Sequence, residues 1–119
     1  MARVLVADDA SFMRQMIREI VESDGHEVVA EASDGLEAFD EYKRVSPDIV
    51  TMDIVMPRRS GIDAVRSIIE MDPDARVVMC SALGQESLVT EALEAGARDF
   101  IVKPFKPDNV IATLTKVLA

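Results

Sequence analysis

The feature that most constrains the fold is an alternation, repeated five times, of short apolar runs with longer segments of helical spacing. Each apolar run is bounded by polar or turn-forming residues, which predicts a buried strand. The segments between the runs place apolar residues three and four positions apart, which is typical of amphipathic helices. Strands that alternate with helices pair in parallel, with helices on both faces of the sheet. The sequence therefore predicts one α/β domain over residues 1–119, with a five-stranded parallel sheet.

The elements can be placed along the chain by their apolar residues. The predicted strands are Val4–Ala7, Val28–Ala30, Ile49–Met52, Val77–Cys80 and Phe100–Val102. The predicted helices contain the apolar residues of Phe12–Val21, Leu36–Tyr42, Ile62–Ile69, Leu88–Ala95 and Val110–Leu118. The central run ends on Asp53, and Pro57 excludes continuation into a central strand or a helix. One carboxylate is thus expected at the carboxyl end of a buried strand.

Composition excludes several classes of function. The chain has 13 Lys plus Arg against 22 Asp plus Glu, a formal charge of −9, so nucleic acid and anionic membranes are not expected partners. A single cysteine, Cys80, cannot form an internal disulfide. Neither a secretory leader nor an apolar run of membrane-spanning length is evident, which predicts a cytoplasmic protein. The only histidine, His26, follows a turn signal, and we expect it on the surface.

Polar side chains follow four of the five predicted strands. Asp8 and Asp9 come after the first strand, Asp53 after the third, Ser81 after the fourth and Lys103 after the fifth. The second strand carries no comparable group and is expected at the margin of the sheet. We adopt the flavodoxin-like strand order 2-1-3-4-5 from known folds; the sequence alone does not yield it. In this order the first and third strands are neighbours, so the three aspartates converge at one edge.

Converging carboxylates repel one another, and a divalent cation removes that repulsion. Mg2+ prefers oxygen ligands and commonly binds one or two carboxylates together with a phosphate oxygen. A carboxylate beside Mg2+ and a fixed ammonium can accept a phosphoryl group. Taken one at a time, the residues also fit simpler roles: Asp53 as a turn residue or helix cap, Ser81 as a helix cap, and Lys103 as a solvated turn lysine.

The ordered set of motifs resembles the receiver domain of two-component response regulators, and most closely its single-domain chemotaxis members. The resemblance covers the whole chain, so that residues 1–119 are expected to form one receiver domain. It is carried by five segments: Val6–Arg14, Met52–Gly61, Cys80–Ala82, Gly96–Phe100 and Lys103–Phe105.

The resemblance implies a role for each residue of the acidic edge. Asp53 is expected to be the phosphoacceptor, and Lys103 to pair with Asp53 or, after phosphorylation, with the phosphoryl group. Asp9 is expected to ligate Mg2+ directly and Asp8 largely through water, with the backbone carbonyl of Val55 as a further ligand. The Lys103–Pro104 peptide bond is expected to be cis, as in the family.

The resemblance also implies a switch. The Ser81 hydroxyl is expected to move toward the phosphoryl group, and Phe100 to fill the space that Ser81 leaves. Phe100 lacks the hydroxyl of the tyrosine found in many relatives. Val55 and Leu83 are apolar where many relatives have polar side chains, and Val55 offers no polar group to guide an attacking water.

By resemblance, the function is two-component signal transduction in chemotaxis. A histidine kinase of the CheA type is expected to phosphorylate Asp53, and the fourth helix, fifth strand and fifth helix to form the surface that a partner reads. That partner is expected to be a flagellar or archaellar motor switch protein or an adaptor. The chain is expected to be a monomer, and a phosphoacceptor rather than an enzyme, beyond self-phosphorylation from small phosphodonors and autodephosphorylation.

Other functions remain compatible with the same residues. The chain could be a phosphorelay intermediate, or the isolated receiver domain of a longer regulator. A Mg2+-dependent phosphatase with an aspartate nucleophile would use the same acidic edge. A flavodoxin-like cofactor module is less compatible, because tryptophan is absent and Tyr42 lies in a predicted helix.

Overall fold

The computed structural model describes residues 1–119 and contains five strands and five helices in strict alternation, as predicted. The strands are β1 (Arg3–Ala7), β2 (Glu27–Ala32), β3 (Ile49–Asp53), β4 (Val77–Ser81) and β5 (Asp99–Val102). The helices are α1 (Ser11–Ser23), α2 (Gly35–Val45), α3 (Gly61–Met71), α4 (Glu86–Glu94) and α5 (Pro107–Leu118). None of the helices combines the length and the apolar character needed to cross a membrane.

All strands pair in parallel in the order β2-β1-β3-β4-β5, which confirms the predicted fold class and topology. Every residue of β3 and β4 is buried, because helices cover both faces of these central strands. β2 lies at the margin of the sheet, as expected, and most of its residues are only partly buried. The two central strands therefore form the rigid part of the sheet from which the edge groups project.

Alternate strand residues build two separate cores. One core contains Leu5, Met52 and Met79 together with apolar residues of α2, α3 and α4. The other contains Val4 and Val6 together with apolar residues of α1 and α5. This division follows from the period of two along each strand, which sends neighbouring side chains to opposite faces.

Apart from strand bounds that differ by one residue, three local features depart from the sequence prediction. β2 extends by one residue at its start and two at its end, because pairing with β1 orders the backbone at Glu27 and Glu31 regardless of their polar side chains. α5 begins at Pro107, three residues before its first buried residue, since proline is well suited to the first helical position. The prediction that His26 lies on the surface is wrong: its side chain is 11% exposed and its Nδ1 accepts the Ala2 N–H at 3.0 Å.

Gly61, the first residue of α3, touches the backbone at the end of β3. A Cβ atom at this position would collide with the carbonyl group of Asp53 and lie 3.1 Å from the Cα atom of Ile54. Both obstacles are backbone atoms of a buried strand end, so they cannot rotate away as a side chain would. Close contact between the start of α3 and the end of β3 thus requires glycine.

We expect Gly61→Ala to lower the free energy of unfolding by about 3 kcal/mol, the upper end of typical overpacking penalties. Gly25→Ala is the matched control, because Gly25 has a φ of +85° but no atom within 4 Å of an added Cβ. The control should lower the free energy of unfolding by only about 1 kcal/mol, because alanine is less stable than glycine in a left-handed backbone conformation. Urea denaturation of both variants gives the comparison, and an equal loss in the two would contradict the contact argument.

Candidate functional site

Three aspartates meet at the carboxyl edge of the sheet. Ala7 of β1 lies opposite Met52 of β3, so the residues that follow them, Asp8 and Asp53, are neighbours across the two strands. One carboxylate oxygen each from Asp8, Asp9 and Asp53 lies within 4.8 Å of the others. Asp8 and Asp53 are 4% and 7% exposed, whereas Asp9 faces solvent. The predicted convergence of the aspartates is present.

Lys103 joins two of these carboxylates. Its Nζ donates to Asp8 Oδ2 at 3.1 Å and to Asp53 Oδ2 at 3.2 Å. Its side chain is 18% exposed, so the alternative of a solvated turn lysine is wrong. The backbone N–H of Lys103 donates to the Ser81 carbonyl at 2.7 Å, and the Lys103–Pro104 peptide bond is cis. The ammonium is therefore held at the site by the ends of β4 and β5.

Burial and charge act on the site together. Burial, and next the neighbouring Asp8 carboxylate, raise the pKa of Asp53 above its ordinary value, although Lys103 acts in the opposite direction. Burial alone would lower the pKa of Lys103, but the Asp53 and Asp8 carboxylates outweigh it and raise that pKa. One ammonium against three carboxylates leaves the edge with an excess of negative charge. An all-oxygen donor set with excess negative charge fits Mg2+.

The geometry also decides between the alternative roles of Asp53 and Ser81. The N-cap of α3 is Ser60, whose Oγ accepts the Asp63 N–H, so Asp53 is not a helix cap. The residue that precedes α4 is Gln85, so Ser81 does not cap that helix. Ser81 instead ends β4, is 2% exposed, and lies opposite Val102, the residue before Lys103. Ser81 and Lys103 thus flank the carboxylates from adjacent strand ends.

Phe100 and Val55, two further residues of the predicted site, lie in different elements of the fold. Phe100 lies on the edge strand β5 and is 39% exposed. With Leu83, Leu93 and Val102 it lines an open apolar depression of 270 Å³ between α4 and β5. Val55 lies in the loop between β3 and α3, two residues after Asp53, and is 54% exposed.

Sequence reasoning missed four charged residues that support the site. Arg14 of α1 donates to the Asp8 carbonyl at 2.7 Å and to Glu31 of β2 at 2.9 Å. Asp34 and Arg58 pair across the loops that precede α2 and α3. The Asp34-Gly35 pair was visible as a helix-start signal. No local sequence pattern indicates the roles of Glu31 and Arg58, because their contacts join segments that are distant in the chain.

The chain is similar to proteins of a known family over almost its whole length. A family model of the response regulator receiver domain matches residues 4–115. The chemotaxis protein CheY of Thermotoga maritima is 54% identical over 115 residues, which cover 97% of this chain and 96% of that protein. CheY of Bacillus subtilis is 53% identical over 116 residues, with 98% and 97% covered.

A solved structure shares both the fold and the sequence pattern. The crystal structure of the CheX-CheY-BeF3-Mg2+ complex from Borrelia burgdorferi superposes with a TM-score of 0.94 at 41% identity. The match covers 98% of this chain and 89% of the other. The family model covers almost the whole chain, and the strand order and the acidic edge fit the same family. The chain therefore belongs to the response regulator receiver domain family.

Proposed function

We propose that this chain is a chemotaxis response regulator whose Asp53 is phosphorylated by a histidine kinase in the presence of Mg2+. The observation that carries the proposal is the position of Lys103, whose Nζ bridges the buried carboxylates of Asp8 and Asp53 beside the exposed Asp9. The curated CheY relatives support the chemotaxis role, because this chain covers 96% and 97% of their lengths. In this proposal, residues 1–119 form one receiver unit that is located in the cytoplasm.

The residues of the acidic edge have separate tasks in the proposed transfer. Asp8, Asp9, Asp53 and the Val55 carbonyl would hold Mg2+, which when bound neutralises charge on the phosphoryl oxygens. An Asp53 carboxylate oxygen attacks the phosphorus of a phosphohistidine. The O–P bond forms as the N–P bond of the donor breaks, and the electron pair of that bond remains on the imidazole nitrogen. The imidazole leaves neutral because its other ring nitrogen carries a proton. The chain acts as a phosphoacceptor, with turnover limited to small phosphodonors and to loss of its own phosphoryl group.

The ammonium and the hydroxyl then respond to the new charge. In this proposal Lys103 leaves Asp53 Oδ2 and pairs with a phosphoryl oxygen, while the Ser81 hydroxyl donates to another. Ser81 moves toward the phosphoryl group from its buried position at the end of β4. Phe100, which is exposed on β5, turns into the space that Ser81 vacates.

The switch is proposed to act on the α4–β5–α5 surface. Leu83, Phe100 and Val102 are 83%, 39% and 41% exposed and line one apolar depression. A contiguous exposed apolar patch of this kind fits a protein-binding surface. A change of Phe100 alters this surface directly, because Phe100 lines its apolar depression. The proposed readers are a motor switch protein or an adaptor, and the proposed donor is a kinase of the CheA type.

Phosphorylation of Asp53 is tested with acetyl phosphate and Mg2+. We expect one phosphoryl group per chain in the wild type and none in Asp53→Asn, because the amide cannot form the acyl phosphate. Asp63→Asn is the control, since this aspartate is also acidic but lies on the exposed first turn of α3. Mass spectrometry of the intact protein and of its peptides provides the measurement. A phosphoryl group mapped to another residue would refute the assignment.

Removal of the Lys103 ammonium should strengthen Mg2+ binding while it abolishes the switch. A unit charge about 4 Å from a divalent cation contributes about 2 kcal/mol of repulsion even in water-like surroundings, so we expect Lys103→Met to bind Mg2+ at least about thirtyfold more tightly. Lys116→Met is the control, because Lys116 pairs with Asp99 and its side chain is 76% exposed. Isothermal titration calorimetry at constant ionic strength gives both affinities. Unchanged or weaker binding in Lys103→Met would contradict the bridging role.

The Val55 side chain should prolong the phosphorylated state. Because valine cannot orient water, we expect Val55→Asn to speed loss of the phosphoryl group by about tenfold, below the range of full general base catalysis. Val102→Asn, on the exposed side of β5, is the control. Decay of radiolabelled phosphoprotein after donor removal is the measurement. Equal decay in Val55→Asn and the wild type would show that this side chain does not limit the lifetime.

A further inference from the structure

The loop between β3 and α3, residues 54–60, is fixed from outside by the junction between β2 and α2. We propose that Asp34 and Arg58 form a positioning pair that holds this loop, and with it the Val55 carbonyl, in the conformation that completes the cation site. The inference rests on the proposed function, because it takes the Val55 carbonyl as a Mg2+ ligand.

Asp34 is a buried carboxylate whose two oxygens have different partners. Oδ1 accepts the Glu37 N–H at 2.8 Å and thereby caps α2. Oδ2 accepts from Arg58 Nε at 2.9 Å and lies 2.8 Å from Arg58 Nη2. The cap, and after it the guanidinium, lower the pKa of Asp34 in spite of burial. Asp34 is 6% exposed, so the anchor of the pair is part of the packed structure.

The backbone of Arg58 shows that the pair acts on the loop. Arg58 has a φ of +64°, a left-handed conformation that few residues other than glycine and asparagine adopt. Such a residue persists only where its surroundings determine its conformation. The Arg58 side chain is 63% exposed, and the structure gives its guanidinium one acidic partner, Asp34. A backbone hydrogen bond from the Arg59 N–H to the Pro57 carbonyl at 2.7 Å closes a turn around Arg58. The ion pair with Asp34 is the side-chain contact that joins this turn to the start of α2.

The loop on both sides of Val55 is anchored. Before it, Ile54 N–H donates to the Cys80 carbonyl at 3.2 Å, and the Ile54 carbonyl accepts the Gly61 N–H at 2.8 Å. After it, the Asp34 pair holds Arg58, and the Arg59 carbonyl accepts the Gly35 N–H at 2.9 Å. Val55 lies between these anchors with its own side chain largely in solvent. Its backbone direction is thus set by Ile54 and by the segment at Arg58 and Arg59.

Arg58→Asn separates positioning from simple electrostatics. The variant removes a positive charge near the acidic edge, so charge alone would make Mg2+ bind more tightly. Asparagine tolerates the left-handed conformation, so the substitution adds little backbone strain. Loss of groups that orient a metal ligand commonly reduces affinity tenfold or more. We therefore expect Arg58→Asn to bind Mg2+ about tenfold more weakly, as measured by calorimetry on the full chain.

Companion variants identify the pair as the cause. Arg58→Lys keeps the charge but loses the two-point contact, and we expect an intermediate loss of affinity. Asp34→Asn keeps an oxygen that can cap α2, and it should weaken Mg2+ binding as Arg58→Asn does. The double variant should be no weaker than the weaker single variant, because both remove the same contact. Arg44→Asn is the matched control: Arg44 is also 63% exposed, but pairs with Glu41 within α2.

A kinetic readout distinguishes positioning from general loss of structure. With acetyl phosphate, the phosphorylation rate of Arg58→Asn should return to within about twofold of the wild type at saturating Mg2+, since the Asp53 nucleophile is unchanged. Thermal melting without Mg2+ reports how far each variant is destabilised. An Arg58→Asn protein that binds Mg2+ as tightly as the wild type, or more tightly, overturns the positioning pair. Failure of the wild type to bind Mg2+ would instead overturn the proposed function.

Discussion

Electrostatic repulsion among Asp8, Asp9 and Asp53 dominates the carboxyl edge of the sheet. The strand order brings Asp8 and Asp53 side by side, and both are nearly buried, so their charges are poorly screened by water. Lys103 offsets part of the repulsion by hydrogen bonds to both. The remaining negative charge favours a cation at this edge, and one of the repelling carboxylates is the proposed phosphoacceptor. Repulsion maintained by the folded structure would thus link the fold to the proposed phosphorylation.

Contacts around the aspartates hold their backbone in place against that repulsion. The hydrogen-bonded sheet fixes β1 and β3, and close packing of Gly61 on the end of β3 fixes the start of the next helix. Charged residues outside the site hold its loops in place. Arg14, for example, donates to the Asp8 carbonyl and pairs with Glu31. These contacts join the loops to the margin strand β2 and the helix after it. The edge strand β2 thus helps to hold the site in place, although none of the predicted Mg2+ ligands lies in it.

The limits of sequence reasoning are seen best in particular residues. The strand and helix pattern was predictable because the periods of two and 3.6 residues are local properties. The edge strand β2 was underestimated, since its pairing with β1 is not encoded in its own polar ends. The turn signal before His26 predicts a surface position, but the sequence does not indicate that its Nδ1 accepts the Ala2 N–H. In each case the error concerns a contact with a segment distant in the chain.

Local sequence patterns predicted the alternation of elements, the α/β class and the polar residues that follow four of the five strands. The ordered motifs also identified the family and nominated Asp53, Lys103 and their neighbours. The two carboxylate contacts of Lys103 and the pairing of Asp34 with Arg58 appear only in the folded structure. Backbone preference and apolar periodicity act over a few residues, whereas these contacts span 95, 50 and 24 positions. Their geometry exists only once the sheet has assembled in its order.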